Sequence, residues 1–268
     1  MTAPSALTRF RTEYGAHRAT EGRAHSDAEL LALPYLRSGP LAKQWSVRAR
    51  TFDTFIRRVV LRVARGIDRP LRVLDLGAGN GWLCHRLARG GNEAVAVDLR
   101  DDSVDGLGAA GPLLGPDFPP FERIVASFDA LPVREAHFDI VVFNASLHYA
   151  TDLHTVLDEA RRVARRGGWL AVLDSPFYKR EADGSAMVDD KRRTASAQFG
   201  ERAEALLSLP FIEFLTRERL DAASKGLGLA WRRHRVSYPL WYEARPFVAR
   251  LRRRRLPSRF DLWESSVA

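Results

Sequence analysis

A chain of 268 residues, 46% hydrophobic and 28% charged, has the composition of an ordinary globular protein, long enough for one substantial α/β domain with a cap and short for two large domains. Its single cysteine, Cys84, excludes an internal disulfide; with no basic-then-apolar leader and no apolar run able to span a bilayer, the expectation is a cytoplasmic protein. The formal charge of +9 admits an anionic or nucleic-acid partner, yet an arginine-rich composition gives the same excess with no partner at all.

Residues 1–34 are polar, with scattered Leu7, Phe10 and Tyr14, and suit a short helix or a loosely held segment. A turn-rich connector from Leu33 to Pro40 follows. From about Leu41 the apolar residues Trp45, Phe52, Phe55, Ile56, Val59, Val60 and Val63 recur at three- and four-residue steps, which predicts a helix ended by Gly66. Next come a strand at Leu71–Leu76, a glycine turn, and a helix from Trp82 stopped by Gly90-Gly91. Further strands are expected at Glu93–Asp98, Phe121–Ala126 and His137–Asn144, with a loop between Arg100 and Pro120. The middle of the fourth strand is apolar throughout, as burial on both faces requires. Thr151 or Asp152 caps a helix that runs to Gly167-Gly168, and Trp169–Asp174 is a fifth strand.

After Asp174 the rhythm breaks. Ser175 to Leu215 is long, charged and weakly periodic, and reads as an insertion over the strand ends. Thr216 opens a helix closed by Gly226, and two more strands are expected in Leu229–Tyr238 and Phe260–Val267. Between them the basic run Arg250 to Arg255 reads as a solvated helix face, without the interleaved aromatics that stack on a single nucleic-acid strand. Strands alternating with helices imply a Rossmann-like, doubly wound, mostly parallel seven-stranded sheet. The expected division is an N-terminal helical cap over residues 1–66 and a ligand-binding domain over 67–268.

The glycine turn is the stretch that bears on chemistry. A strand, an alternating-glycine turn and a helix let backbone approach a nucleotide-like ligand closely. A dinucleotide fingerprint needs a third glycine three residues after the second, and that position holds Trp82, too bulky for close helix–strand contact. The glycines stand instead at Gly77, Gly79 and Gly81, with Asp75 two residues ahead. This spacing resembles motif I of the class I S-adenosylmethionine-dependent methyltransferases, most like their type 11, ubiquinone-biosynthesis-type subgroup. Further landmarks extend the resemblance over about Val73 to Leu173, among them Asp98, Asp129 after Ser127-Phe128, and the run Asn144-Ala145-Ser146-Leu147-His148-Tyr149. Arg166 stands where that family usually has proline, which affects a turn and not the chemistry.

The resemblance implies S-adenosyl-L-methionine as cofactor, bound by Asp75, Gly77, Ala78, Gly79, Asn80, Gly81 and Trp82. Asp98 and Leu99 would meet the ribose; Ser127, Phe128, Asp129 and Ala130 would surround the adenine. Asn144 and Ala145 would line the crevice, and Trp45 and Arg48 would close it from the N-terminal helix, Arg48 facing the methionine carboxylate. The reaction implied is in-line transfer of a sulfonium methyl group, which needs a base only when the acceptor carries a proton to lose. His148 is the first candidate for that base and Tyr149 a weaker one. Ser175-Pro176-Phe177-Tyr178 is an incomplete version of a base-gripping Pro-Pro-aromatic motif, in the wrong place for one. The favoured acceptor is a small molecule methylated on oxygen, such as a secondary metabolite, a quinone or lipid, or a sugar. An RNA or protein methyltransferase and a non-catalytic cofactor-binding regulator are the alternatives. No metal is expected, and the sequence is silent on oligomeric state.

Overall fold

The computed structural model describes residues 24–200 and 207–268, so the expected features at Leu7, Phe10 and Tyr14 lie outside the described residues. Helix α1 (Asp27–Ala32) is closed by a capping box between Ser26 and Glu29. Helix α2 (Ala42–Phe55) runs on through a π-helical turn, Ile56–Val60, into α3 (Leu61–Ala64). The core of the domain follows as β1 (Arg72–Leu76), α4 (Trp82–Arg89), β2 (Glu93–Asp98), β3 (Glu122–Val125), β4 (Phe138–Asn144), α5 (Leu153–Val163) and β5 (Ala164–Leu173). Then come α6 (Glu181–Phe199), α7 (Arg217–Ala223), β6 (Arg232–His234), α8 (Leu240–Glu243), α9 (Arg245–Leu251) and β7 (Leu262–Ser266).

The seven strands form one sheet in the order β3-β2-β1-β4-β5-β7-β6, parallel except for β7, which runs antiparallel to both of its neighbours. Every residue of β4 is buried, as its unbroken apolar run predicts for a central strand covered on both faces. One face is covered by α2 with its π-helical turn and by α4, through Phe55, Val59, Leu83 and Leu87 against Val73, Ala96 and Val142 of the sheet. The other is covered by α5 and α7, through Val156, Leu157 and Leu220 against Leu74, Val141 and Val172.

Asp152, the second of the two expected caps, accepts a 2.6 Å hydrogen bond from the Thr155 amide and starts α5. Other boundaries differ from expectation. The stretch between Arg100 and Pro120 is not all loop, because Leu107–Leu114 forms a 3₁₀ segment with Leu107, Ala110 and Leu113 turned into the core. The charged segment after Asp174 contains the nineteen-residue α6, which weak periodicity concealed. The basic run is a helix face only at its start: α9 stops at Leu251, Arg252 is its C-cap, and Arg255 reaches back to Asp190 and to the Tyr178 hydroxyl.

Helix α5 also stops sooner than the glycines suggested. Ala164 is already extended (φ −72°, ψ 139°), and the chain bulges before pairing resumes at Trp169 opposite Ile140. Asp139 accounts for the bulge. Its fully buried carboxylate accepts two bonds from Arg69 (2.8 and 3.0 Å) and one from the Arg72 amide (2.7 Å), and Arg165 lies 2.7 Å away. Pulling Arg165 toward Asp139 is incompatible with another helical turn. The same partners hold the Asp139 carboxyl below the usual carboxylate range against its burial.

Asp139→Ala is expected to cost about 2–4 kcal/mol in urea unfolding at pH 7, at the low end for a broken buried pair because both arginines can turn to water. A group whose folded pKa is depressed lends stability above its unfolded pKa and loses it as pH falls. The gap between variant and wild type should therefore narrow below about pH 4; a gap independent of pH would exclude the ionised carboxylate as its source.

Candidate active site

The turn after β1 is built on three left-handed glycines, Gly77 (φ 76°), Gly79 (φ 55°) and Gly81 (φ 78°). A Cβ at Gly77 would stand 2.3 Å from that of Ser146, and one at Gly81 would stand 2.8 Å from the Phe121 ring. At these two positions the space that forbids a side chain belongs to neighbouring protein loops, whereas the sequence argument assigned it to the ligand. The turn is fastened to β2: the Gly77 and Ala78 amides both donate to the Val97 carbonyl, at 2.8 and 2.9 Å. Beside it Asp98 accepts from the Gly79 amide (2.8 Å) and the Arg100 amide (2.9 Å). Burial pushes the Asp98 carboxyl up, and those two amides draw it part of the way back.

Three further charged groups converge behind this turn. Asp75, next to last in β1, is fully buried, and among the described residues neither of its carboxylate oxygens has a hydrogen-bond partner. Burial, with Asp98 close by and Arg48 opposing, pushes it up to about 8. Arg48 reaches from α2 to Asp174 (3.3 Å) and to the Asn144 side chain (3.1 Å), its guanidinium 4.5 Å from the Trp45 ring. Asp174 is buried just past β5 at φ 51°, and Ala145 just past β4 at φ 60°. Two non-glycine residues in left-handed backbone, side by side at strand ends, store strain where a ligand would sit.

Arg48 and Asp174 border a cavity of about 580 Å³ at the carboxyl ends of β1, β2 and β4. Gly77, Ala78, Gly79, Asn80, Asp98 and Leu99 form one wall, completed by Phe128, Asn144 and Ala145. Trp45, Arg48 and Trp82 close it on the α2 side. Trp82, whose bulk argued against a dinucleotide turn, is buried edge-on against Trp45 and Phe52, with ring centroids 5.6 Å apart in each case. It holds the N-terminal helix onto the glycine turn. Asp75 and Gly81 lie behind the wall as its support. Ser127, Asp129 and Ala130 do not border the cavity, and Asp129 and Ala130 are exposed.

The opposite wall is aromatic. His148 and Tyr149 lie ring to ring at 4.3 Å, and Tyr149 meets Phe211 edge-on at 5.4 Å. The strap that carries Phe211 is tied to the loop after β4, where the Ile212 and Glu213 amides donate to the Ala150 and His148 carbonyls, both at 2.9 Å. Trp241, Tyr242, Arg245 and Phe260 complete this wall. Arg245 lies 3.7 Å over the Tyr242 ring and donates to the Ser258 carbonyl at 2.6 Å, while its buried Nε has no hydrogen-bond partner among the described residues. None of these last residues, nor Asp174, was singled out in the sequence. Asp174 carried a usable signal, since it is a strand-terminal acid like Asp98. The residues after 210 carried none.

Residues 74–172 match the family model described as a methyltransferase domain. The malonyl-[acyl-carrier protein] O-methyltransferase of Enterobacter lignolyticus is 27% identical over 254 residues, covering 81% of this chain and 94% of that protein. The enzyme of the same name from Geobacter sulfurreducens is 38% identical over 119 residues, 41% of this chain and 40% of its own length. Among solved structures, the magnesium protoporphyrin IX methyltransferase of Synechocystis PCC 6803 shares the fold, with a TM-score of 0.58 at 16% identity over 98% of this chain and 100% of that one.

Asp75 generates a prediction independent of activity. A carboxyl whose folded pKa is raised supports the fold below its unfolded pKa, and that support is lost as pH rises through the folded value. With an ordinary value near 4 when unfolded and about 8 when folded, the loss should fall between pH 4 and 8. Asp75→Asn should therefore melt higher than wild type at pH 8 and alike at pH 4, by calorimetry. Parallel curves across that range would show that burial of this acid costs the fold nothing.

Proposed function

We propose that this class I S-adenosylmethionine-dependent methyltransferase carries the methyl group to an oxygen atom of a small, largely apolar acceptor. The observation that supports the reading is a single cavity with two unlike walls, one of backbone amides and acids, the other of aromatic rings with one histidine and one arginine. The first wall suits the cofactor. Each oxygen of Asp98 accepts one amide and keeps a lone pair for a ribose hydroxyl. The unpartnered carboxylate of Asp75 is matched by positive charge brought near the turn. Arg48, held between Asp174 and Asn144, would meet the methionine carboxylate, and Phe128 would lie against the adenine.

When bound, the cofactor supplies a sulfonium methyl group that is already activated, so alignment and exclusion of water carry most of the catalysis. The chain's own part is to seat the acceptor between Tyr149, Phe211 and Tyr242 and to bring its oxygen to the first wall. His148, at the junction of the two walls, takes the proton of a hydroxyl acceptor as it is methylated. A second reading, a carboxylic acid acceptor that needs no base, is favoured by the buried and unpartnered Nε of Arg245. It also agrees with the activity named for the Enterobacter relative.

Asp98→Ala should weaken S-adenosylhomocysteine binding by at least about tenfold in titration calorimetry; unchanged affinity would place the cofactor elsewhere. A panel of phenols, alcohols and carboxylic acids, scored by S-adenosylhomocysteine release, separates the two acceptor readings. With hydroxyl acceptors, His148→Ala should lower kcat about a hundredfold and leave cofactor affinity intact. If acids are the acceptors, His148→Ala should change little, and Arg245→Met should raise KM for the acid instead.

A further inference from the structure

Among the described residues, eight large apolar side chains are exposed, and five of them fall within residues 240–251. They are Leu240 (88% exposed), Trp241 (46%), Phe247 (70%), Val248 (40%) and Leu251 (76%). Leu240, Phe247, Val248 and Leu251 keep the helical spacing of a single face, and Ala244 between α8 and α9 is itself helical, so the stripe is continuous. It faces outward, while Tyr242 of the same segment is buried in the core. Such clustering differs from the scattered single apolar residues normal on a surface.

Charge accompanies the stripe. Arg250, Arg252, Arg253 and Arg254 are exposed at its C-terminal end. Glu243 is the one acid between residues 239 and 258, and it is matched by Arg259 (2.8 Å) and Arg235 (3.6 Å). The patch is thus apolar on one side and basic on the other. Its inner edge is the cavity itself, since Trp241 and Arg245 border both. A protein partner would be expected to offer pockets for a few anchors. An exposed stripe of aromatic and aliphatic side chains flanked by arginines fits a deformable, negatively charged surface better.

We propose that residues 240–254 dock the protein on an anionic lipid bilayer, holding the cavity mouth at the lipid surface. Delivery of a lipid-borne acceptor through that mouth rests on the oxygen-acceptor reading; docking itself does not. Sinking Leu240, Phe247, Val248 and Leu251 below the headgroups aligns the arginines with lipid phosphates, and the Trp241 ring takes the interfacial position that tryptophan favours.

The full chain is sedimented with vesicles of phosphatidylcholine alone or mixed in equal parts with phosphatidylglycerol, with no acceptor present. Wild type should pellet with the mixed vesicles and remain largely in solution with the neutral ones, and added salt should weaken the binding. The double variant Phe247→Glu with Leu251→Glu lies outside the cavity and should bind S-adenosylhomocysteine as wild type does. Its binding to mixed vesicles should fall about tenfold or more. Docking is overturned if wild type ignores the anionic vesicles or if the variant binds them as well. It is equally overturned if wild type is a dimer that the variant breaks without any vesicle binding, or if only an acidic protein is bound. Vesicle binding without methylation of any lipid extract would leave docking standing and count against the acceptor reading alone.

Discussion

Helices α4 and α5 leave the sheet on opposite faces, because the chain crosses from β1 to β2 on one side and from β4 to β5 on the other. Right-handed crossovers diverging from adjacent strands cannot cover the carboxyl ends of β1 and β4, and a crevice opens there whatever the side chains are. The rest of the site answers that constraint. The glycine turn bends back over β1 and is sewn to β2 through Val97 and Asp98. The loops after β4 and β5 enter left-handed backbone at Ala145 and Asp174 to stay out of the opening. The aromatic contact of Trp45 and Phe52 with Trp82 then brings α2 over one side.

Electrostatically the crevice is unbalanced. Asp75, Asp98 and Asp174 are all buried enough for their carboxyls to be pushed up, and Arg48 is the cation that opposes this at Asp75 and Asp174. Arg100 opposes it at Asp98, and desolvation of these buried acids is still only partly recovered. Arrangements of this kind are found where a ligand supplies the missing charge and donors, and the fold bears the strain until it does. S-adenosylmethionine, with a sulfonium and an ammonium, is a ligand of the required sign. Asp98 and the glycine turn line the same wall of the cavity, the wall that suits this cofactor.

How much of this could be read from the sequence follows from how far apart the interacting residues stand. Strands β1, β2 and β4, the glycine turn and the Asp152 cap are each specified by neighbouring residues, and their boundaries fell within a residue or two. The Asp98–Gly79 bond spans 19 residues inside one strand–turn–helix–strand unit, so its spacing served as a signature. Arg48 and Asp174 are 126 positions apart, and nothing local to either announces the other. The end of α5 was misread for the same reason, since Arg165 leaves the helix for Asp139 in another strand and not for the glycines ahead of it. Trp82 was recognised as important through what it excludes, while its positive role requires Trp45 and Phe52 from a separate helix.

The same distinction separates the two walls of the cavity. The motif-bearing stretch from Val73 to Leu173 supplies nearly all of the amide-and-acid wall, whose partner is one fixed molecule and whose geometry tolerates few solutions. The aromatic wall is assembled mainly from Phe211, Trp241, Tyr242, Arg245 and Phe260, carried on a strap, two short helices and the lead-in to β7. The strap is fastened to the loop after β4 and Tyr242 packs in the core with Trp45, so these segments reach the cavity without forming part of the glycine turn. A wall of rings is specified by volume and polarity rather than by spacing, and many sequences satisfy it. That freedom is why the donor can be recognised from a handful of residues and the acceptor cannot. The exposed stripe, joined to the same rim by Trp241 and Arg245, belongs physically to the acceptor side of the molecule.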